Sequence, residues 1–182
     1  MKRRLVFLVL IIIFSQAVVA ASGTRIEISV SPPPISYQLI VMRDKVHYSS
    51  TSGWSGKLGC SFDVGKINLG LIVQYSNFRY SEFSESYHVI GINAKLGFPK
   101  KLSEKISFDG NINVGIDIRS IYSTTRVYPS LGVYTGFALG VNEKLAITAG
   151  ADIKLAIQPN ITGYYNAIDC VVMGNIGLRI TI

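Results

Sequence analysis

Charge is scarce in this 182-residue chain: Asp, Glu, Lys and Arg make up 16% of it, where soluble domains carry about 25%. Histidine and cysteine occur twice each. Two cysteines cannot staple a multi-disulfide framework, and no Cys-x-x-Cys or His/Cys cluster offers tetrahedral metal ligands, so no metal site and no cofactor are expected. Glycine-rich phosphate loops are missing. Beyond the first twenty residues no basic run exceeds Lys100-Lys101, which gives a nucleic acid nothing to grip and argues against that partner. After the first twenty residues no stretch of about 18 apolar residues remains, so no transmembrane helix is available.

What is present is apolar: 48% of residues are hydrophobic, which excludes a disordered chain. Lys2, Arg3 and Arg4 precede the run Leu5 to Phe14, and Val18 and Ala20 place small side chains at the positions a signal peptidase reads. Residues 1–20 are therefore read as a secretory signal peptide cleaved after Ala20. Three of the positive charges behind the formal net charge of +7 belong to it.

The rest alternates with period two. Ile106, Phe108, Ile112, Val114, Ile116 and Ile118 share one parity, and Ser107, Asp109, Asn111, Asn113, Asp117 and Arg119 the other. That period belongs to strands. It predicts eight of them: Ile35 to Met42, Lys57 to Val64, Ile67 to Tyr75, His88 to Phe98, Ile106 to Arg119, Leu131 to Val141, Leu145 to Ile157 and Asp169 to Ile182. Ile26 to Ser31 also alternates, but Pro32, Pro33 and Pro34 follow it and cannot sit inside a paired sheet. Residues 21–34 are accordingly read as a lead-in segment and residues 35–182 as the folded unit.

Connections alternate between short and long. Gly65-Lys66, Pro99 to Lys105 and Asn142 to Lys144 are short; Arg43 to Gly56, Ser76 to Tyr87, Ser120 to Ser130 and Gln158 to Ile168 are long. An even-stranded meander with this alternation is the pattern of a bacterial outer-membrane barrel. A soluble lipocalin-like barrel binding an apolar ligand is the alternative, so the decision rests on which parity faces inward. Glycine crowds the polar parity (Gly59, Gly70, Gly91, Gly97, Gly115, Gly132, Gly136, Gly140, Gly150, Gly177), with only Gly110 and Gly174 on the apolar one. A narrow barrel interior needs small residues beside large ones, and a solvated surface does not. The apolar parity carries no charge in the well-defined strands, as hydrocarbon demands. The expected fold is an all-β, eight-stranded antiparallel up-and-down transmembrane barrel.

On that reading Lys57, Lys95, Arg119, Lys154 and Arg179 face Asp63, Asp109, Asp117, Asp152 and Asp169 across the lumen, and mutual pairing is expected because lone buried charges are too costly. Sealing is favoured over selective conduction. Tyr48, Trp54, Phe78, Tyr80, Phe83, Tyr128, Tyr164 and Tyr165 are expected on the long loops. There they would serve as an interfacial girdle, to which Tyr75, Tyr87 and Tyr122 are also assigned, or as a contact surface for host or cell-surface ligands. Cys60 and Cys170, placed near the long-loop ends of their strands with the first strand between them, are too far apart to bridge and are expected as free lipid-facing thiols.

At the C-terminus, Asn175, Gly177, Ile180 and Ile182 follow a polar, glycine, hydrophobic, hydrophobic spacing. With this signature and the strand layout, the chain resembles the small eight-stranded outer-membrane barrels of the OmpX, Ail, OmpA-transmembrane and OmpW class. That class commonly ends on an aromatic residue, where Ile182 stands here. The resemblance implies residence in the bacterial outer membrane among its lipids, those four residues as the signal read by the barrel-insertion machinery, and a structural, adhesive or narrow porin-like role. His47-Tyr48-Ser49 is similar to the His-x-Ser of outer-membrane lipid deacylases. The rest of that pattern is missing, so no catalytic residue is assigned and the chain is read as not an enzyme.

Overall fold

A computed structural model describes residues 23–32, 36–42, 45–80, 86–121, 124–158 and 167–182, with side chains from residue 53 onward in the third strand. The signal peptide and the sequence positions Phe83, Tyr122, Tyr164 and Tyr165 lie outside the described residues. Nine strand segments follow one another: β1 (Arg25–Ser31), β2 (Ser36–Met42), β3 (Lys45–Val64), β4 (Ile67–Tyr80), β5 (Ser86–Lys101), β6 (Ile106–Ile121), β7 (Thr124–Gly140), β8 (Leu145–Gln158) and β9 (Ala167–Thr181).

All pairings are antiparallel, and the ring closes. β1 and β2 both lie between β3 and β9: Arg25 stands opposite Ser61 and Thr181, and Tyr37 opposite Ser50 and Val172. They are the lower and upper halves of one stave, so nine segments make an eight-stranded barrel. The lead-in assignment of residues 21–34 is thereby corrected for β1. Proline cannot donate to a ladder, but it interrupts pairing only locally, and pairing resumes on both sides of the block at Pro32-Pro33-Pro34.

Most strands outrun their sequence-based limits at the long-loop end. Residues 45–56 are not loop, because β2 and β3 pair from Tyr37↔Ser50 to Met42↔Lys45, and β6 and β7 pair up to Ile121↔Thr124. Above the hydrocarbon no face needs to be greasy, so alternation fades while the ladder continues. A 16-residue strand tilted by about 45° rises about 37 Å, well past an apolar band of about 25 Å.

At the other end the turns are tight. Gly65, with φ +64°, supplies the left-handed residue of the Gly65-Lys66 turn. Asn142 caps the β7–β8 turn by accepting from the backbone N–H of Lys144 and of Leu145, both at 2.9 Å.

The residues are distributed inside out. Ile28, Val30, Leu58, Val73, Ile112, Val114, Leu131, Val133, Ile153 and Ile176 are exposed on the outer wall. Asn68, Gln74, Asn93, Lys95, Asp109, Asp117, Arg119, Asp152, Asp169 and Arg179 are buried. A lipocalin-like barrel would show the reverse, with an apolar interior, so that alternative is set aside.

Candidate functional site

The lumen is the site, and the strand pleat builds it. Among the residues whose side chains are described, odd residues of β1, β3, β5, β6 and β9 and even residues of β4, β7 and β8 turn inward. Six cations (Arg25, Lys57, Lys95, Arg119, Lys154, Arg179) meet six carboxylates (Glu27, Asp63, Asp109, Asp117, Asp152, Asp169), and every one of the twelve takes part in an ion pair.

The pairs stack as a ladder along the axis. Nearest the short turns, Arg25 Nη2 lies 2.7 Å from Asp63 Oδ2, and Asn68 Nδ2 donates to Asp63 Oδ1 at 3.0 Å. One layer up, Glu27 accepts from Lys95 Nζ at 2.9 Å and from Arg179 Nε at 2.8 Å, while Arg179 Nη2 reaches Asp109 Oδ2 at 2.5 Å. At mid-height Lys57 and Asn175 both donate to Asp152, and Ser31 Oγ donates to Asn175 Oδ1 at 2.5 Å. Above these, Asp117 holds Lys154 Nζ at 2.5 Å and Arg119 Nη2 at 3.6 Å, and Arg119 also pairs with Asp169. Partnering on this scale is what permits so many charges in a space shielded from water.

Glycines provide the room. A Cβ on Gly91 would sit 2.6 Å from Lys154 Nζ and 3.1 Å from Asp117 Oδ1, so a larger residue there would push the lysine end aside. Gly136 and Gly150 stand opposite one another, and a Cβ on either would strike the Tyr134 ring.

The long-loop end of the lumen is stopped by a different chemistry. Phe78, Tyr87, Val89, Val171 and Met173 form a buried apolar cluster, with the Phe78 and Tyr87 rings 5.4 Å apart. Just below it, the Arg119 guanidinium lies 5.4 Å from the centre of the Tyr128 ring, a cation–π contact. Gln74 donates to Ser55 Oγ at 2.9 Å and to Ser76 Oγ at 3.0 Å. Inside the lumen the cavities measure about 40, 20 and 10 Å³, room for isolated waters and no more. At the short-turn end the lumen widens into an open basin of about 530 Å³.

Each of the ten lumen charges expected from the sequence is ion-paired. Arg25 and Glu27 were missed because β1 was read as a lead-in, although Glu27, Ser29 and Ser31 alternate with Ile26, Ile28 and Val30. The loop aromatics need more correction. Phe78 (3% exposed), Tyr87 (2%) and Tyr128 (5%) are strand residues buried inside the barrel, neither loop contacts nor girdle. Trp54 is a strand residue of β3, 49% exposed on the outer wall. Its ring centre is 5.3 Å from that of Tyr75, whose hydroxyl is 2.8 Å from His88 Nδ1, an aromatic edge to the apolar belt. Tyr48 and Tyr80 are also strand residues.

Asn175 and Gly177 turn inward, whereas Ile180 and Ile182 are exposed. His47 and Ser49 fall within β3, their side chains outside the described residues. Cys60 and Cys170 are free thiols. Cys60 lies close to the short-turn end of β3, opposite Ile26, whereas Cys170 stands opposite Leu39 in the upper half-stave. The sequence reading, which put both at the long-loop end, is corrected for Cys60, and the difference in height separates the thiols further.

No family model and no curated protein sequence matches the chain. Solved structures do. Neisserial surface protein A has a TM-score of 0.64 at 12% identity, covering 88% of this chain and 98% of its own. The outer membrane protein OprG from Pseudomonas aeruginosa has 0.54 at 10%, covering 89% and 97%. The outer membrane enzyme PagL has 0.52 at 11%, covering 85% and 99%. At such low identity the likeness is one of architecture, and PagL shows that this architecture can house an enzyme. Ring closure, inside-out residue distribution and these likenesses agree: the chain has the fold of the small eight-stranded transmembrane β-barrels of the outer membrane.

Proposed function

We propose that the protein is an integral barrel of the bacterial outer membrane with a sealed lumen, acting as a structural or adhesive element through the ends that leave the lipid. The observation that carries this reading is the filled interior of the described residues: a ladder of balanced ion pairs under an apolar stopper, with water-sized cavities between. A hydrated ion crossing it would have to break several buried pairs in succession, and breaking one costs about 3 to 5 kcal/mol. The narrow porin-like role is therefore the weaker of the readings.

A non-enzymatic role is part of the same proposal. Within the described lumen every carboxylate is engaged in an ion pair, which supports this reading. The ring of charges is assigned to sealing and register, and the outward ends to any cell-surface ligand. Asn175, Gly177, Ile180 and Ile182 are assigned to recognition by the insertion machinery, with the two isoleucines presented on the outside and Asn175 committed to the lumen.

Planar-bilayer recording tests the sealed lumen. Pure folded protein is expected to give no stable single-channel openings. Arg119→Ala, which removes the partner shared by Asp117 and Asp169 and the cation over Tyr128, should raise the frequency of brief openings. Large, steady currents from the wild-type protein would contradict the proposal.

A further inference from the structure

The three short turns share a composition that the lumen does not use. Lys66 follows Val64 in the first; Lys100, Lys101 and Lys105 surround Leu102 in the second; Lys144 follows Val141 in the third. Val64, Leu102 and Val141 are all exposed, as is Ile182 on the same rim. All five lysines are exposed too, and only Glu104 and Glu143 oppose them in these turns. Lys66, Lys101 and Lys105 edge the open basin, while Lys100 shares the outer parity with Phe98. None of the five enters the ion pairs of the lumen, where cations and carboxylates already balance, so the rim carries a surplus of positive charge beside aliphatic side chains.

An aliphatic tip flanked by lysines suits one environment: the boundary where acyl chains give way to negatively charged headgroups. There the tip stays in hydrocarbon, the lysine stem covers it, and the ammonium reaches up to a phosphate. Resting on the membrane-barrel reading above, we propose that the short-turn rim is a docking surface for anionic phospholipid headgroups, held through Lys66, Lys100, Lys101, Lys105 and Lys144. A lysine close to an anionic bilayer surface contributes about a fivefold preference at moderate ionic strength. Repetition of the pattern on all three turns would hold the barrel at a fixed depth and gather a shell of acidic lipid around one end.

The test uses folded full-length protein in vesicles of phosphatidylcholine with phosphatidylglycerol. Spin-labelled versions of the two lipids report, by electron paramagnetic resonance, the fraction of each immobilised at the protein surface. Wild-type protein is expected to select labelled phosphatidylglycerol over labelled phosphatidylcholine several-fold and to lose that selectivity at high salt. The combined Lys66→Gln, Lys100→Gln, Lys101→Gln, Lys105→Gln and Lys144→Gln variant should bind both lipids equally while remaining folded, and Glu104→Gln with Glu143→Gln should increase the selectivity. Equal immobilisation of both lipids by folded wild-type protein, or unchanged selectivity in the five-lysine variant, would overturn the proposal and leave the barrel reading standing. Failure of the wild-type protein to enter vesicles of either composition would overturn both.

Discussion

Arg179 shows how much a single inward side chain holds together. It joins Glu27 of the half-stave β1 to Asp109 of β6 across the barrel, at 2.8 and 2.5 Å. Arg179→Met fills similar volume but leaves Asp109 without its cation, and removing one member of a buried pair costs about 3 to 5 kcal/mol. Urea unfolding in detergent micelles should show a loss of about 3 kcal/mol, and the double variant Arg179→Met with Asp109→Asn should recover much of it. Equal stability of the single and wild-type proteins would mean that the lumen is wet enough to screen its charges. The ten sequence-assigned lumen charges were legible from parity alone, because a strand leaves a side chain only two directions. Their partners were not legible, because pairing such as Lys57 with Asp152 depends on which staves face each other across the axis.

Among the elements, β1 and β9 carry the most information. β1 was hidden by its neighbour: three prolines mark the end of a ladder in a sequence, yet here they separate two halves of one stave that share both partners, β3 and β9. The strand ends near the long loops were hidden for another reason. Phe78, Tyr87 and Tyr128 sit in sequence surroundings rich in Ser, Tyr and Arg that read as loop, and only the continued pairing turns them inward as a stopper. β9 ends with Ile180 and Ile182 exposed, while its Asn175 is tied to Asp152 and Ser31. Removing residues 180–182 is therefore expected to spare folding in detergent but to reduce assembly into the outer membrane of cells, measured by fractionation and heat-modifiable migration. Assembly at the wild-type level would detach the terminal signature from the recognition role proposed for it.

At the scale of the molecule, three zones follow one another along the axis: an open basin with a lysine-bearing rim, a lumen of paired charges, and an apolar stopper beneath the outward ends. Around the lumen runs a wall of Ile, Leu and Val, on which one charge at mid-height would cost about 2 to 4 kcal/mol. Eight strands, their order and the direction of their faces could be read from alternation and turn lengths, since a hydrocarbon slab imposes that pattern directly. The stopper could not, since nothing in a single strand distinguishes an aromatic side chain closing the lumen from one lying at the interface.

The central claim is that the aliphatic side chains meet lipid. Spin labels placed one at a time on residues 111–116 of β6, in a background with Cys60 and Cys170 replaced by serine, measure it directly through collision with dissolved oxygen, which concentrates in the bilayer interior. Oxygen access should be high at Ile112, Val114 and Ile116 and low at Asn111, Asn113 and Gly115. The opposite alternation, or a protein that stays dissolved without detergent or lipid and shields those isoleucines within itself, would contradict the account.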